Sequence, residues 1–292
     1  MADEVSTDEA VHERYIAPDE VDTDEEATDE ANEALLNAAR DGSVDGIKAA
    51  LKAGADINFK PGFKREEDGW VHHIAHIGPA LYTAAIRGHV AVVSLLLREG
   101  ASVVQRTSSM APLHIAAMKG FTEIVDLLVQ HGATVDVRDG WLYTPLMYAC
   151  DAKSADTVRR LIELGARTDY LEDYLAKGTG KVTDGHKECL KLIEEAKKTK
   201  LLRCCNPKCG KPGDGSTLEL CGKCKLTRYC SRDCQEQHWS VGHKKCCGHD
   251  VYNDEEETDP LQQLVSLMTN HIRHFGSESL EALSAVLPSA PQ

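Results

Sequence analysis

The sequence predicts a mainly α-helical fold in two parts: a solenoid of short helical repeats, then a small cysteine-rich domain held together by metal. Two observations carry that expectation. A Gly-Ala pair recurs at Gly54-Ala55, Gly100-Ala101, Gly132-Ala133 and Gly165-Ala166; the last two intervals are 32 and 33 residues, the first 46. Further on, nine of the eleven cysteines crowd into residues 204–247. Composition agrees, since 42% hydrophobic residues suffice for a core, while 5% aromatics suits helices packed through small side chains.

Residues 1–30 carry thirteen Asp or Glu against one Arg and few apolar side chains. They read as a disordered acidic arm. The net charge of −14 disfavours nonspecific nucleic-acid binding by the molecule as a whole. No basic segment followed by an apolar run marks a secretory signal, and no apolar run approaches a membrane span. The expectation is an intracellular chain, in the cytoplasm, the nucleus or both, with neither nucleic acid nor membrane as partner.

Residues 31–198 form the solenoid. Nineteen residues before each repeated Gly stands Leu35, Leu81, Leu113 or Leu146, and seven residues after those come Gly42, Gly88 and Gly120, with Lys153 breaking the series. The glycines suit a left-handed helix end, which a Cβ disfavours. Thr144-Pro145-Leu146 offers a capping oxygen and then Pro at the first helical position; Ala111-Pro112-Leu113 repeats this without the oxygen. Val92, Val93, Leu95, Leu96 and Leu97 supply the buried side of a second helix. The pattern resembles the ankyrin repeat, four of them plus a degenerate C-terminal cap. In the cap, Asp184–Ile193 looks like a second helix, while Gly178 and Gly180 spoil a first one at 175–180; an imperfect end unit is what a stack needs. Cys150 and Cys189 read as small core residues.

Between the first two repeats, residues 59–77 lengthen a hairpin loop and bring in Trp70, His72, His73 and His76. A binding loop is the better reading there, because nothing places the histidines on one helix face.

Residues 203–247 supply the chemistry. Cysteine and histidine fall in pairs: Cys209 with Cys204 or Cys205, Cys221 with Cys224, Cys230 with Cys234, and His243 with Cys247, beside which sits Cys246. A short turn presenting two thiolates is the unit of a zinc site, and four pairs fill two closed tetrahedra. So short a segment needs metal to hold a shape. Ser231 stands where it caps a helix and places Cys234 in the first turn, whose dipole favours a thiolate. A disulfide framework is the competing reading, which a reducing compartment opposes. With every coordination position filled by protein, structural zinc is the expectation and a catalytic zinc the lesser reading.

This stretch resembles the MYND zinc finger through Tyr229-Cys230-Ser231, Cys234-Gln235, His238-Trp239 and His243-Lys244. The resemblance implies interleaved sites: Cys204, Cys209, Cys230 and Cys234 on one zinc, and Cys221, Cys224, His243 and Cys247 on the other. The first pair is wider than usual in the family, and the Cys234 to His243 interval is longer by one. Cys204 and Cys205 therefore both remain candidates. The resemblance also implies that Gln235 and Trp239 line a groove for short proline-containing peptides, a stiff ligand that loses little entropy on binding. Trp239 serves equally well as filling for the tiny core.

Beyond the finger, residues 248–259 read as an acidic linker. In 260–292, Leu261, Leu264, Val265, Met268 and Ile272 share a helix face, with a second short helix ending at Pro288. Packing back on the chain and binding a partner are both open to it. The finger's nine basic and four acidic residues leave about +2 once seven thiolates and two Zn2+ are included, too weak for DNA.

No Ser-His-Asp set or phosphate-binding glycine loop is present. The expectation is a non-enzymatic adaptor of the ankyrin-and-MYND-containing kind. Its ankyrin face would grip an unidentified protein, and its finger a proline-containing peptide. The alternative is a non-catalytic subunit of a ubiquitin-ligase or lysine-methyltransferase assembly. A SET domain has no room, and a RING finger does not carry its only His in the last pair.

Overall fold

The computed structural model describes residues 23–61, 78–107, 109–168, 184–199 and 202–248. Four antiparallel helix pairs lead: α1 (Thr23–Asp41) with α2 (Val44–Lys52), α3 (Ala80–Arg87) with α4 (Val90–Arg98), α5 (Pro112–Lys119) with α6 (Thr122–Gln130), and α7 (Pro145–Asp151) with α8 (Ala155–Glu163). First helices stack on first helices, α1 on α3 on α5 on α7, and second helices on second, α2 on α4 on α6 on α8. Small residues make the first row close: Ala84, Ala85, Ala116, Ala117 and Ala149 are all fully buried. The second row contributes Val92, Val93, Leu96, Ile124, Val125, Leu128 and Val129 to the same core. Each such side chain stabilises by about 1.5–3 kcal/mol relative to exposure. A lone helix, α9 (Asp184–Thr199), packs on α7 and α8 and brings Cys189 and Ile193 into the core beside Cys150.

Gly42, Gly88 and Gly120 end α1, α3 and α5 at φ 76°, 79° and 73°. A Cβ would be costly for a second reason. It would meet His89 on Gly42, Phe121 on Gly88 and Ser154 on Gly120, each the residue that opens the next repeat's second helix. Lys153, expected to break the series, takes the same turn at φ 58° despite its side chain.

Polar rungs tie some repeats together. Asn58 accepts from the Ser102 amide at 2.8 Å, and Asp136 from the Arg167 amide at 2.9 Å. The equivalent position between the second and third repeats is Val104, which has no acceptor.

Two expectations change. The stretch read as a disordered arm is helical from Thr23 onwards. Leu35, Leu36 and Ala39 bury the far end of that helix against the repeats, which holds its last turns in place. Thr144 does not cap α7: its hydroxyl is buried and makes no hydrogen bond among the described residues, leaving Pro145 to start the helix. Residues 1–22 of the arm, the loop histidines of 62–77, the segment 175–180 where Gly178 and Gly180 are expected to spoil a first helix, nearly all of the linker 248–259 and the tail 260–292 lie outside the described residues.

The finger follows as two minimal hairpins and a helix. Strand β1 (Leu202–Arg203) pairs antiparallel with β2 (Pro212–Gly213), and β3 (Glu219–Leu220) with β4 (Arg228–Tyr229). Helix α10 (Arg232–His238), a π-turn (Trp239–His243) and the single turn α11 (Lys244–Cys246) complete it. The helix that Ser231 opens ends at His238, just before Trp239, and Gly242 leaves helical geometry altogether at φ 167°.

Candidate metal centres and peptide-binding face

Each hairpin presents one thiol pair. Past β1, Cys204 bonds through its amide to the Lys211 carbonyl at 2.9 Å, while Asn206 turns the chain by accepting from the Lys208 amide at 3.1 Å and the Cys209 amide at 2.9 Å. Past β3, the Cys221 amide donates to the Thr227 carbonyl at 2.8 Å, and Lys225 closes the knuckle at φ 58°. Ser231 caps α10 as expected, accepting from the Cys234 amide at 3.2 Å. Burial works against ionising Cys234, but hydrogen bonds from Ser231, Cys230, Cys209 and Asn206 outweigh it and hold its thiol below the ordinary value.

Two tetrads result. Cys204, Cys209, Cys230 and Cys234 bring their sulfurs within 4.8 Å of one another, and so do the ligand atoms of Cys221, Cys224, His243 and Cys247. The shorter edges are decisive. Cys209 to Cys230 is 3.7 Å, Cys230 to Cys234 3.6 Å, Cys221 to Cys247 3.6 Å, and Cys224 to His243 Nε2 3.7 Å. A tetrahedron built on Zn–S bonds of about 2.3 Å has edges of about 3.8 Å. A disulfide would need sulfurs about 2.05 Å apart. The donor sets fit two structural zinc ions with no position open for water.

Of the neighbouring thiols Cys204 and Cys205, only the first reaches the tetrad; Cys205 Sγ instead accepts from the Arg228 amide at 3.3 Å. Burial pushes both thiols up, Cys205 to about 12, so the distinction between them is geometric. Cys246 likewise faces away from the second tetrad, where Cys247 stands.

Spacing did not reveal the rings that back the second tetrad. His243 stacks on His238 at 5.0 Å, and His238 Nδ1 lies 2.9 Å from the Tyr229 hydroxyl. Burial, then the neighbouring His243 ring, lowers His238 to about 3, and burial raises Tyr229. His238 is therefore neutral and Tyr229 protonated, and the two share one hydrogen bond whose donor is set by the imidazole tautomer. Thr227 Oγ1 sits 3.3 Å from His243 Nε2 on the tetrad side. The signal for this cluster was the aromatic character of Tyr229 and His238 among the family marks, without any indication that they touch.

Gln235 and Trp239 are both half-buried. Gln235 Nε2 approaches Cys221 Sγ at 3.9 Å, and the Trp239 ring stands edge-on to His243 at 5.9 Å. Both side chains thus lie against members of the second tetrad, and Trp239 also packs on the finger's small core.

Residues 81–172 match the family described as ankyrin repeats, in three copies, and residues 204–247 match the MYND finger. The chain is 38% identical over 125 residues to Ankyrin repeat protein nuc-2 of Neurospora crassa, covering 41% of this chain and 12% of that protein. Over 41 residues it is 46% identical to Ubiquitin carboxyl-terminal hydrolase 17 of Arabidopsis thaliana (14% of this chain, 6% of that one). Hydrolase 16 of the same plant is 49% identical over 41 residues (13% and 4%). The chain spans no more than 12% of any of these three relatives, so the likeness is one of modules. Both matched modules are of kinds that bind proteins. Among the described residues no helix is long and apolar enough to cross a membrane. The chain carries ankyrin repeats followed by a MYND finger with two Cys/His tetrads fit for zinc.

Proposed function

We propose that the chain is a zinc-held adaptor that grips one protein with its ankyrin stack and a proline-containing peptide with its finger. Cys204, Cys209, Cys230 and Cys234 hold the first zinc, and Cys221, Cys224, His243 and Cys247 the second. The observation that carries the peptide reading is the placement of Gln235 and Trp239 against Cys221 and His243. A loaded second site braces both side chains, so the face arrives preformed and little freedom is lost on binding. The Trp ring offers an apolar plane to a stiff extended ligand, and the neighbouring amide offers a donor and an acceptor.

The test is calorimetric titration of the full chain with a Pro-x-Leu-x-Pro peptide, beside Trp239→Ala and a metal assay of both proteins. Trp239→Ala should lower affinity at least about tenfold, the loss expected of an aromatic hot spot. Two zincs should remain. Equal affinity in the two proteins would remove the groove and leave Trp239 a core residue.

A further inference from the structure

The four Gly-Ala turns are equivalent within the repeat but not in their surroundings. A Cβ placed on Gly54 or Gly100 would meet nothing within 4 Å. On Gly132 it would stand 2.5 Å from the Gly242 backbone and 2.8 Å from the His243 amide nitrogen. On Gly165 it would lie 3.2 Å from the Arg203 carbonyl oxygen and 3.5 Å from Cys205 Sγ. The finger covers the last two turns. From the finger's side the fit is tighter still, since a Cβ on Gly242 would collide with the His131 carbonyl oxygen.

The two thiols that the tetrads leave over make this contact. Cys246 Sγ donates to the Gly132 carbonyl oxygen at 3.0 Å and joins the buried apolar cluster of the repeats. Cys205 is buried against Gly165. Each Cys-Cys pair is therefore divided, Cys204 and Cys247 turning to the tetrads, Cys205 and Cys246 to the stack. Because the partners are consecutive in the chain, whatever fixes one fixes the aim of the other. Beside the contact a cleft of about 330 Å³ is walled by Arg160, Glu163 and Leu164 of the stack and by Arg203, Asn206 and Pro207 of the finger.

We propose that the Gly132 and Gly165 turns form a docking surface for the chain's own finger, and that zinc in the tetrads holds the finger on it. Docked, the two modules act as one body with their binding faces at a fixed separation. That separation sets the effective concentration for any ligand that engages both. Loss of zinc undoes the backbone that carries Cys205 and Cys246, and the two turns are uncovered. The inference rests on the two-zinc reading and adds the coupling to the stack.

The first two turns supply an internal control. The amides of Ala55, Ala101, Ala133 and Ala166 all donate to a carbonyl five residues back, at 3.1, 2.9, 3.0 and 2.9 Å. The four hydrogen bonds are alike, and the finger lies over the turns of Ala133 and Ala166 but not over those of Ala55 and Ala101. Hydrogen exchange of the full chain is followed with and without chelator, with metal content measured on the same samples. Zinc removal should speed exchange at Ala133 and Ala166 by about tenfold or more, the response of a locally opened unit, while Ala55 and Ala101 stay within about twofold. Gly242→Val, with both zincs bound, should reproduce the rise at Ala133. If that variant also loses metal, the chelated wild type decides. Unchanged exchange at Ala133 and Ala166 after both zincs are shown to have left would overturn the docking. A purified chain that never contained zinc would instead overturn the metal reading beneath it.

Discussion

Acid should loosen the hairpin that His114 ties down. The ring is fully buried in α5. Nδ1 accepts from the Ala111 amide at 3.1 Å, and Nε2 donates to the Val137 and Tyr143 carbonyl oxygens, both at 3.1 Å. Protonation would turn Nδ1 into a donor facing a donor. Burial lowers this histidine from 6.5 to about 4, with Asp139 opposing and Arg106 assisting. Above pH 6.5 neither the folded nor the unfolded chain holds the extra proton. Between pH 6.5 and 4 the unfolded chain takes it and the folded one refuses, so stability falls as pH falls. The full displacement corresponds to about 3 kcal/mol, of which about 2 kcal/mol is gone by pH 5. Urea unfolding of wild type and His114→Asn at pH 7.5 and 5.0 reads this as a double difference, in which acid effects on the zinc sites cancel. Wild type should lose about 2 kcal/mol more than the variant over that interval. Nitrogen NMR of the labelled ring should show one neutral Nε2–H tautomer throughout. An imidazole titrating near 6.5 in the folded chain would refute the reasoning.

Two further perturbations separate neighbouring roles. Cys204→Ser should leave one zinc per chain and Cys205→Ser two, read by metal analysis after gel filtration; equal losses would undo the assignment. Tyr148→Phe removes the phenol that donates to Asp139 Oδ2 at 2.5 Å, leaving that buried carboxylate with the Trp141 and Tyr143 amides. The cost should be about 1.5–3 kcal/mol in urea, because the acceptor is charged and stays buried. A change below about 0.5 kcal/mol would mean the hydroxyl is replaced by water.

Fold class and the pairing of cysteines into metal-type knuckles were legible because both are short-range properties of the chain. A helix's buried face repeats with the helical period, so Val92 to Leu97 could be placed on the core side from spacing alone. A knuckle likewise needs only two ligands a turn apart, which is why the cysteine pairs pointed to metal. Where short-range cues compete with packing, the reading slipped. Acidic composition suggested an arm as far as residue 30, where the burial of Leu35, Leu36 and Ala39 anchors a helix that begins at Thr23, and Thr144 offered a cap that its buried setting leaves unused.

What only the tertiary structure decided concerns residues far apart in sequence. Choosing Cys204 over Cys205 depends on where the Arg228 amide comes to rest, more than twenty residues away. Covering Gly132 but not Gly54 depends on where a finger more than a hundred residues later is seated. The sequence determined that the cysteine and histidine pairs make metal-type donor sets and which faces are apolar, since those are set by residue type and local geometry. Which of two identical neighbours joins the tetrad, and which of four equivalent turns is covered, follows from the path of distant backbone, and no local pattern encodes that path.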